Sequence, residues 1–162
     1  MTPDIVNSSI AIRRALLCFL GAYCAVTVFA TALTVTYGSI YKSPQHQDLA
    51  GGLLKDPAFV ATVPYHVVIM LVVWPAFAWL YFRRHKRTTQ NIEVKEALYL
   101  SIIWLAGAIV VDFVFFVLIR HAWSLTPREF YIEYQPWISL IYLAIWLSPW
   151  IWLGFVRLHT RE

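Results

Sequence analysis

The sequence predicts an all-α integral membrane protein, a four-transmembrane-helix bundle with both termini cytoplasmic. Two observations carry this prediction. Of the 162 residues, 60% are hydrophobic and 14% are charged, whereas soluble domains have about 45 to 50% apolar and about 25% charged residues. The hydrophobic residues also fall into four long blocks instead of a scattered core pattern. The composition therefore excludes a soluble globule, a disordered chain and, with 2 cysteines, a disulfide-rich fold.

Four continuous apolar segments define the spans of a single transmembrane domain over residues 1–162. They cover residues 15–37, 60–82, 97–119 and 137–156. Each segment has 20 to 23 residues, and an α-helix needs about 20 apolar residues to cross the hydrocarbon layer. Each segment is therefore expected to span the membrane once.

Span one, residues 15–37, combines apolar length with many small side chains. Small residues let helix backbones approach closely in lipid, so we expect this span to be the central, most heavily contacted helix. The small residues are Cys18, Gly21, Ala22, Ala25, Thr27, Ala30, Thr31 and Thr34. Arg13 and Arg14 resemble the start of a signal peptide, but the apolar run of 23 residues exceeds the about 7 to 15 of a signal peptide core. We therefore expect the span to be retained.

Spans two and three each carry one ionisable side chain. His66 lies six residues below the outer end of span two, and Asp112 lies seven residues below the outer end of span three. At 1.5 Å per residue their depths differ by about 1.5 Å. A 14-residue loop joins the two spans, and short connections usually join neighbouring helices. We therefore expect His66 and Asp112 to pair in the outer half of the membrane.

Asp112 is also expected to point into the bundle. It shares a helical face with Ala97, Ser101 and Ala108 at 100° per residue. A carboxylate near the bilayer centre costs about 2.5 to 3.5 kcal/mol, and ionisable residues there tend to mark ligand or ion pathways. Two interpretations stay open. The pair with His66 is either a site for an ion, a proton or a polar group of a ligand, or a structural contact that fixes helix register.

The loop between spans three and four is predicted to contain a short helix. Thr126-Pro127-Arg128-Glu129 has the pattern of a capping box with proline at the first helical position. The helix should run to about Tyr134 and lie at the membrane boundary on the extracytoplasmic side. This loop supplies an outer-face polar cluster consisting of Arg120, His121, Glu129 and Glu133.

Carboxylates and imidazoles of this kind can bind zinc or iron. No HExxH or paired-cysteine motif accompanies the outer-face polar cluster. We therefore expect neither a metal site nor another cofactor.

Span four, residues 137–156, begins after Pro136 and contains Pro149 near its inner end. Proline inside a helix removes a backbone hydrogen bond and kinks the helix, so kinks are expected at Pro149 and at Pro75 of span two. The 8 tryptophans are interpreted as anchors at the headgroup boundary.

The distribution of basic residues predicts the orientation. One side of the membrane receives nine Lys and Arg residues. They are Arg13, Arg14, Arg83, Arg84, Lys86, Arg87, Lys95, Arg157 and Arg161. The other side receives four, namely Lys42, Lys55, Arg120 and Arg128. Because the richer side faces the cytoplasm, we expect both termini in the cytoplasm and the protein in a bacterial inner membrane.

The net charge of +4 is explained by this topology and needs no nucleic acid partner. Basic side chains at a membrane surface attract anionic lipids, at about 1 kcal/mol each. The candidates for lipid headgroup contact are Arg83, Arg84, Lys86 and Arg87.

Three classes of function stay open. The leading interpretation is an accessory or interaction subunit of a membrane complex, with membrane lipids and a protein partner or further copies of the chain as its partners. The second is binding or transport of an ion, a proton or a small molecule at His66 and Asp112. The third is a membrane-embedded enzyme with an acid/base site facing the extracytoplasmic side. The sequence does not decide between an enzyme and a binding protein, and it names no substrate.

Overall fold

A computed structural model describes residues 3–41, 53–83, 90–121 and 123–159. All regular structure in these ranges is helical. The long helices are α1 (Pro3–Ile40), α2 (Pro57–Phe82), α3 (Gln90–Asp112) and α4 (Trp137–His159).

Within the described ranges, four helical stretches are long and apolar enough to cross a membrane. They are Ile12–Ile40, Pro57–Phe82, Val94–Leu118 and Trp137–Leu158. Each predicted span agrees with one of these stretches to within three residues at either end. The prediction of an all-helical membrane protein with four spans is confirmed.

Two π-helical segments interrupt the regular α-helices. The first π segment, Phe113–Leu118, continues directly from α3, and the second π segment is Glu129–Glu133. Their wider turns are visible in hydrogen bonds to the residue five positions earlier: Ile119 N–H donates to the Val114 carbonyl (3.0 Å), and Tyr134 N–H donates to the Glu129 carbonyl (2.9 Å). Such turns are rare and frequently occur at functional sites.

The predicted short helix is present in the loop before α4, where residues 127–133 are helical. Its capping box is formed as the sequence indicates. Thr126 N–H donates to the Glu129 carboxylate (2.7 Å), and Glu129 N–H donates to the Thr126 hydroxyl (3.2 Å). The location of this helix at the membrane boundary stays a prediction.

Around the bundle the helices follow the order α1, α2, α4, α3, so that α2 and α3 lie on a diagonal. The expectation that α2 and α3 are packed neighbours is therefore wrong. The six residues between Arg83 and Gln90 reach about 20 Å when extended. A bundle with helices about 9 Å apart has a diagonal of only about 13 Å. The connection is short in sequence but long enough to cross the bundle.

Two tryptophans lie in the middle of the bundle. Trp74 and Trp104 are 1% and 0% exposed, and their ring centroids are 5.3 Å apart. The Trp104 indole N–H donates to the Ala15 carbonyl of α1 (2.9 Å). Interpreting every tryptophan as a boundary anchor is thus wrong for these two, which fill the space between helices.

The expected face of α3 is buried. Ala97, Ser101 and Ala108 are 0% exposed and Asp112 is 7% exposed. The Ser101 hydroxyl donates to the Trp146 carbonyl of α4 (2.9 Å). Small residues thus let α3 approach its neighbours closely, as the spacing predicts.

Span one differs from its prediction. Of the four spans it has the smallest share of buried residues, so it is not the central helix. Its small residues have different surroundings: Gly21 lies against the Phe77 ring of α2, whereas Thr27 and Thr31 are exposed. Residue size alone therefore does not identify which residues of a span contact another helix.

Candidate functional site

Asp112 ends α3 and is held by tyrosines from two other helices. The Tyr23 hydroxyl of α1 donates to the Asp112 carboxyl at 2.5 Å. The Tyr142 hydroxyl of α4 interacts with the same carboxyl, but among the described residues it has no hydrogen bond of regular geometry. Because these hydroxyls replace water around a buried carboxyl, they offset part of its desolvation cost.

His66 belongs to a different group of polar side chains, which joins α1 to α2. Its Nε2 lies 3.1 Å from the Thr34 hydroxyl, and that hydroxyl lies 2.8 Å from the Thr62 hydroxyl. Thr62 donates to the Ala58 carbonyl of its own helix (2.8 Å). These contacts link Thr62, Thr34 and His66 into one chain of hydrogen bonds between the two helices.

The expected hydrogen-bonded pair of His66 and Asp112 is therefore not formed, and each has its own partners. The reason lies in the helix order, since α2 and α3 face each other across the bundle diagonal. The two side chains nevertheless line one cavity of about 280 Å³, in the part of the bundle toward the predicted outer side.

The cavity has mostly apolar walls supplied by all four long helices, the first π segment and the loop before α4. Its lining includes Phe59, Phe116, Phe130, Ile138, Ile141 and Ile145. Binding sites for small molecules typically have apolar walls with a few polar groups, in volumes of about 300 to 1,000 Å³. The cavity lies at the small end of this range.

Trp74 also lines the cavity. Its indole N–H is buried and has no hydrogen-bond partner among the described residues. A buried donor without a partner costs about 1 to 3 kcal/mol. The cavity wall thus presents the carboxyl groups of Asp56 and Asp112, and it lies against one donor that has no hydrogen-bond partner in the described part of the chain.

The residues of the outer-face polar cluster mostly form contacts within the loop before α4. His121 Nε2 donates to the Phe115 carbonyl (2.8 Å), while its Nδ1 accepts from Trp123 N–H (3.1 Å). Glu133 forms an ion pair with Arg128 at 3.4 Å, with both side chains exposed. Arg120 is exposed. The second carboxylate, Glu129, closes the capping box.

The Thr126 backbone N–H holds the pKa of Glu129 below its ordinary value, since a hydrogen bond to the carboxylate favours the charged form. No group of three or more His, Cys, Asp or Glu that could hold a metal ion occurs in the described ranges. His46, which the sequence places on the same side, lies outside these ranges.

Of the candidates for lipid headgroup contact, Arg83 is described, and Arg84, Lys86 and Arg87 are not. The Arg83 guanidinium lies 5.2 Å from the centre of the Trp79 ring. Arg14 donates to the Leu80 carbonyl at 3.1 Å. A basic side chain at this end of the bundle, Arg14, therefore also links α1 to α2.

Sequence reasoning missed the tyrosines around Asp112. Tyr23 and Tyr142 contact its carboxyl, and Tyr134 lines the same cavity. Burial, and after it the Asp112 carboxyl, raise the pKa of Tyr134, so its hydroxyl stays protonated. The sequence does contain a signal for these tyrosines. A carboxyl within the membrane needs hydrogen-bond donors, and tyrosines occur inside the other spans.

Comparison with known proteins identifies no family for this chain. No family model matches the chain, and no curated protein and no solved structure matches it either.

Proposed function

We propose that this is a small polytopic protein of a bacterial inner membrane that binds a small molecule in the outer half of its helical bundle. One observation carries the proposal: His66 and Asp112, both buried within the spans, line the same apolar cavity. Intramembrane ionisable residues are costly and commonly mark binding sites. The excess of basic residues at the predicted cytoplasmic ends supports an orientation with both termini inside the cell.

The two residues have different roles in this proposal. Asp112 offers the bound molecule a hydrogen-bond acceptor within the membrane. His66 acts as a positioning residue, because its Nε2 is engaged with Thr34 of α1 and thereby fixes two walls of the cavity.

The experiment that tests the proposal compares two tryptophan variants of neighbouring residues on α4. Ile141 lines the cavity and is 8% exposed, whereas Leu140 is 38% exposed and lies outside the cavity lining. We expect native mass spectrometry of protein released from its own membrane to show a small molecule bound to the wild type and to Leu140→Trp, and lost from Ile141→Trp. Equal occupancy of all three proteins would contradict the proposal.

An accessory role in a membrane complex is the second candidate. It is favoured by the exposed small residues of α1, Thr27 and Thr31, because such residues suit close contact with another helix. A partner protein that co-purifies in mild detergent, and is lost from Thr27→Leu, would favour this role.

The enzyme alternative has less support. His121, Glu129 and Glu133 are engaged in hydrogen bonds or ion pairs that shape the loop. None of them is among the residues that line the cavity. An acid/base site that combines them with Asp112 is therefore not proposed.

A further inference from the structure

The cavity is open on one side of the bundle. Three residues of α1, Thr27, Thr31 and Val35, line the cavity and are also exposed. Their spacing of four places them on one stripe of the helix. Phe115 and Trp123 line the cavity too, and each is 44% exposed. These five residues, called the rim below, border an opening between α1 and the end of the third span.

The contacts between α1 and α3 explain where the opening starts. Progressing outward, Ala15 accepts a hydrogen bond from Trp104 (2.9 Å), the Phe19 ring lies against Gly107, and Tyr23 donates to Asp112 (2.5 Å). The next step would bring Thr27 of α1 to the level of Phe115. Here the first π segment has begun, and both residues are exposed instead of buried against each other. The two helices thus separate just beyond Asp112, within the membrane-spanning part of the bundle.

The cavity is small. Its volume of about 280 Å³ lies just below the range of about 300 to 1,000 Å³ for small-molecule sites, so it admits one chain. It excludes the bulk of a lipid with two acyl chains.

The polar groups of the cavity select the end group of that chain. Asp112 supplies a carboxyl oxygen, whereas the other carboxylate in the lining, Asp56, already accepts from the Ala58 N–H (2.9 Å). A hydroxyl group is neutral and donates a hydrogen bond, so it complements the Asp112 carboxyl. The rim contains no charged residue, and a charged group that crossed it would lose its hydration. An anionic end group would in addition lie next to the carboxyl.

We propose that the cavity takes up a neutral single-chain lipid with a hydroxyl end group, a long-chain alcohol, sideways from the outer leaflet through the rim. The hydroxyl group lies against Asp112, and the chain extends through the opening between α1 and the first π segment. This inference rests on the proposed binding function and adds the class of ligand and its route.

The experiment uses the full chain in liposomes and a dodecanol that carries a photoreactive diazirine on its chain. The matching hydrocarbon and the matching fatty acid, with the same diazirine, serve as comparisons. We expect the alcohol to label cavity residues such as Met70 and Phe116 about tenfold more than the hydrocarbon does, since a hydrogen bond to a buried polar partner is lost without the hydroxyl. The fatty acid should label them no more than the hydrocarbon.

The route is tested with variants of matched residues on α1. Thr31→Trp should slow labelling of the cavity severalfold because the indole narrows the opening. Thr36→Trp, an exposed threonine of the same helix outside the cavity lining, should leave the rate unchanged. Phe115→Ala widens the opening and should speed labelling while the preference for the alcohol over the hydrocarbon remains, a preference that a misfolded protein would lose.

The outcomes separate this inference from the function on which it rests. Equal rates for Thr31→Trp, Phe115→Ala and the wild type would overturn the lateral route and leave binding intact. Equal labelling by alcohol and hydrocarbon would overturn the hydroxyl end group. If no probe labels the cavity while a small molecule is retained in native mass spectrometry, the ligand class is wrong. If that molecule is also missing, the proposed function fails.

Discussion

At the scale of residues, the chemistry of the bundle centres on one carboxyl with tyrosines around it. Asp112 is 7% exposed, and its regular hydrogen bond comes from Tyr23 of a helix that is otherwise loosely joined to α3. This single contact therefore has two consequences. It satisfies a buried acceptor, and it closes the seam between α1 and α3 at the inner end of the cavity.

Tyr23→Phe should lower the free energy of unfolding by about 1 kcal/mol, the usual size of an interhelical hydrogen bond in a membrane protein. Tyr65→Phe is the matched control, because Tyr65 is 58% exposed and should lose nothing measurable. Equilibrium unfolding in mixed detergent micelles checks both values. Equal stability of the two variants would show that the Tyr23 hydroxyl contributes nothing to the fold.

Glu129 gives the loop before α4 a dependence on pH. Its pKa is lowered in the folded protein because its carboxylate accepts the Thr126 N–H. The stabilisation is therefore fully present above the ordinary pKa of about 4.3 and is lost as the pH falls through the lowered value.

We expect amide hydrogen exchange in residues 126–134 to accelerate below about pH 4, relative to a peptide of the same sequence. Glu129→Gln keeps an acceptor without a titrating group, so its exchange should show no such step. A step of the same size in the hydrogen exchange of this variant would mean that another titrating side chain causes the change.

At the scale of elements, α4 shows how a helix tolerates proline inside a membrane. Pro149 has no N–H, so the Ile145 carbonyl one turn earlier lacks its helical donor. The Ser148 hydroxyl donates to that carbonyl at 2.7 Å, and Ser148 is 0% exposed. A neighbouring hydroxyl thus replaces the missing backbone donor.

A double-mutant cycle tests this compensation. Ser148→Ala should destabilise the protein by about 1 kcal/mol, since it leaves the Ile145 carbonyl without a donor. In a Pro149→Ala background the backbone N–H returns, and the same substitution should cost close to nothing. Unfolding free energies of the four proteins give the coupling. An unchanged cost in both backgrounds would mean that Ser148 acts through packing.

At the scale of the whole molecule, the orientation in the membrane is the prediction on which the outer location of the cavity depends. A fluorescent protein fused to the C-terminus should fluoresce, and alkaline phosphatase fused there should be inactive, because the basic residues predict that the C-terminal end lies inside the cell. Alkaline phosphatase inserted after Ser124 should be active. The reverse pattern would place the cavity in the cytoplasmic half.

The spans, the buried face of α3 and the capping box at Thr126 could be predicted from the sequence because each depends on local pattern. Apolar length identifies a span, and spacing places Ala97, Ser101 and Ala108 on one face with Asp112. These features do not require knowledge of which helices touch.

The order of helices and the cavity could not be predicted in this way. The diagonal position of α2 and α3 depends on how small side chains of all four helices fit together, and loop length does not restrict it enough. The exposed threonines of α1 look like packing residues in the sequence. The cavity wall combines residues of several elements, so no segment of the chain carries its signature.

The first π segment has a consequence for how such a wall can change over generations. A π turn accommodates one residue more than an α turn, and it begins immediately after Asp112. Loss of a single codon there would return the backbone to ordinary α geometry, and the residues on either side would keep their direction because the wider turn had already absorbed the additional residue. An indel of minimal size could therefore remove one side chain from this part of the pocket wall and leave the carboxyl before it and the loop after it in place.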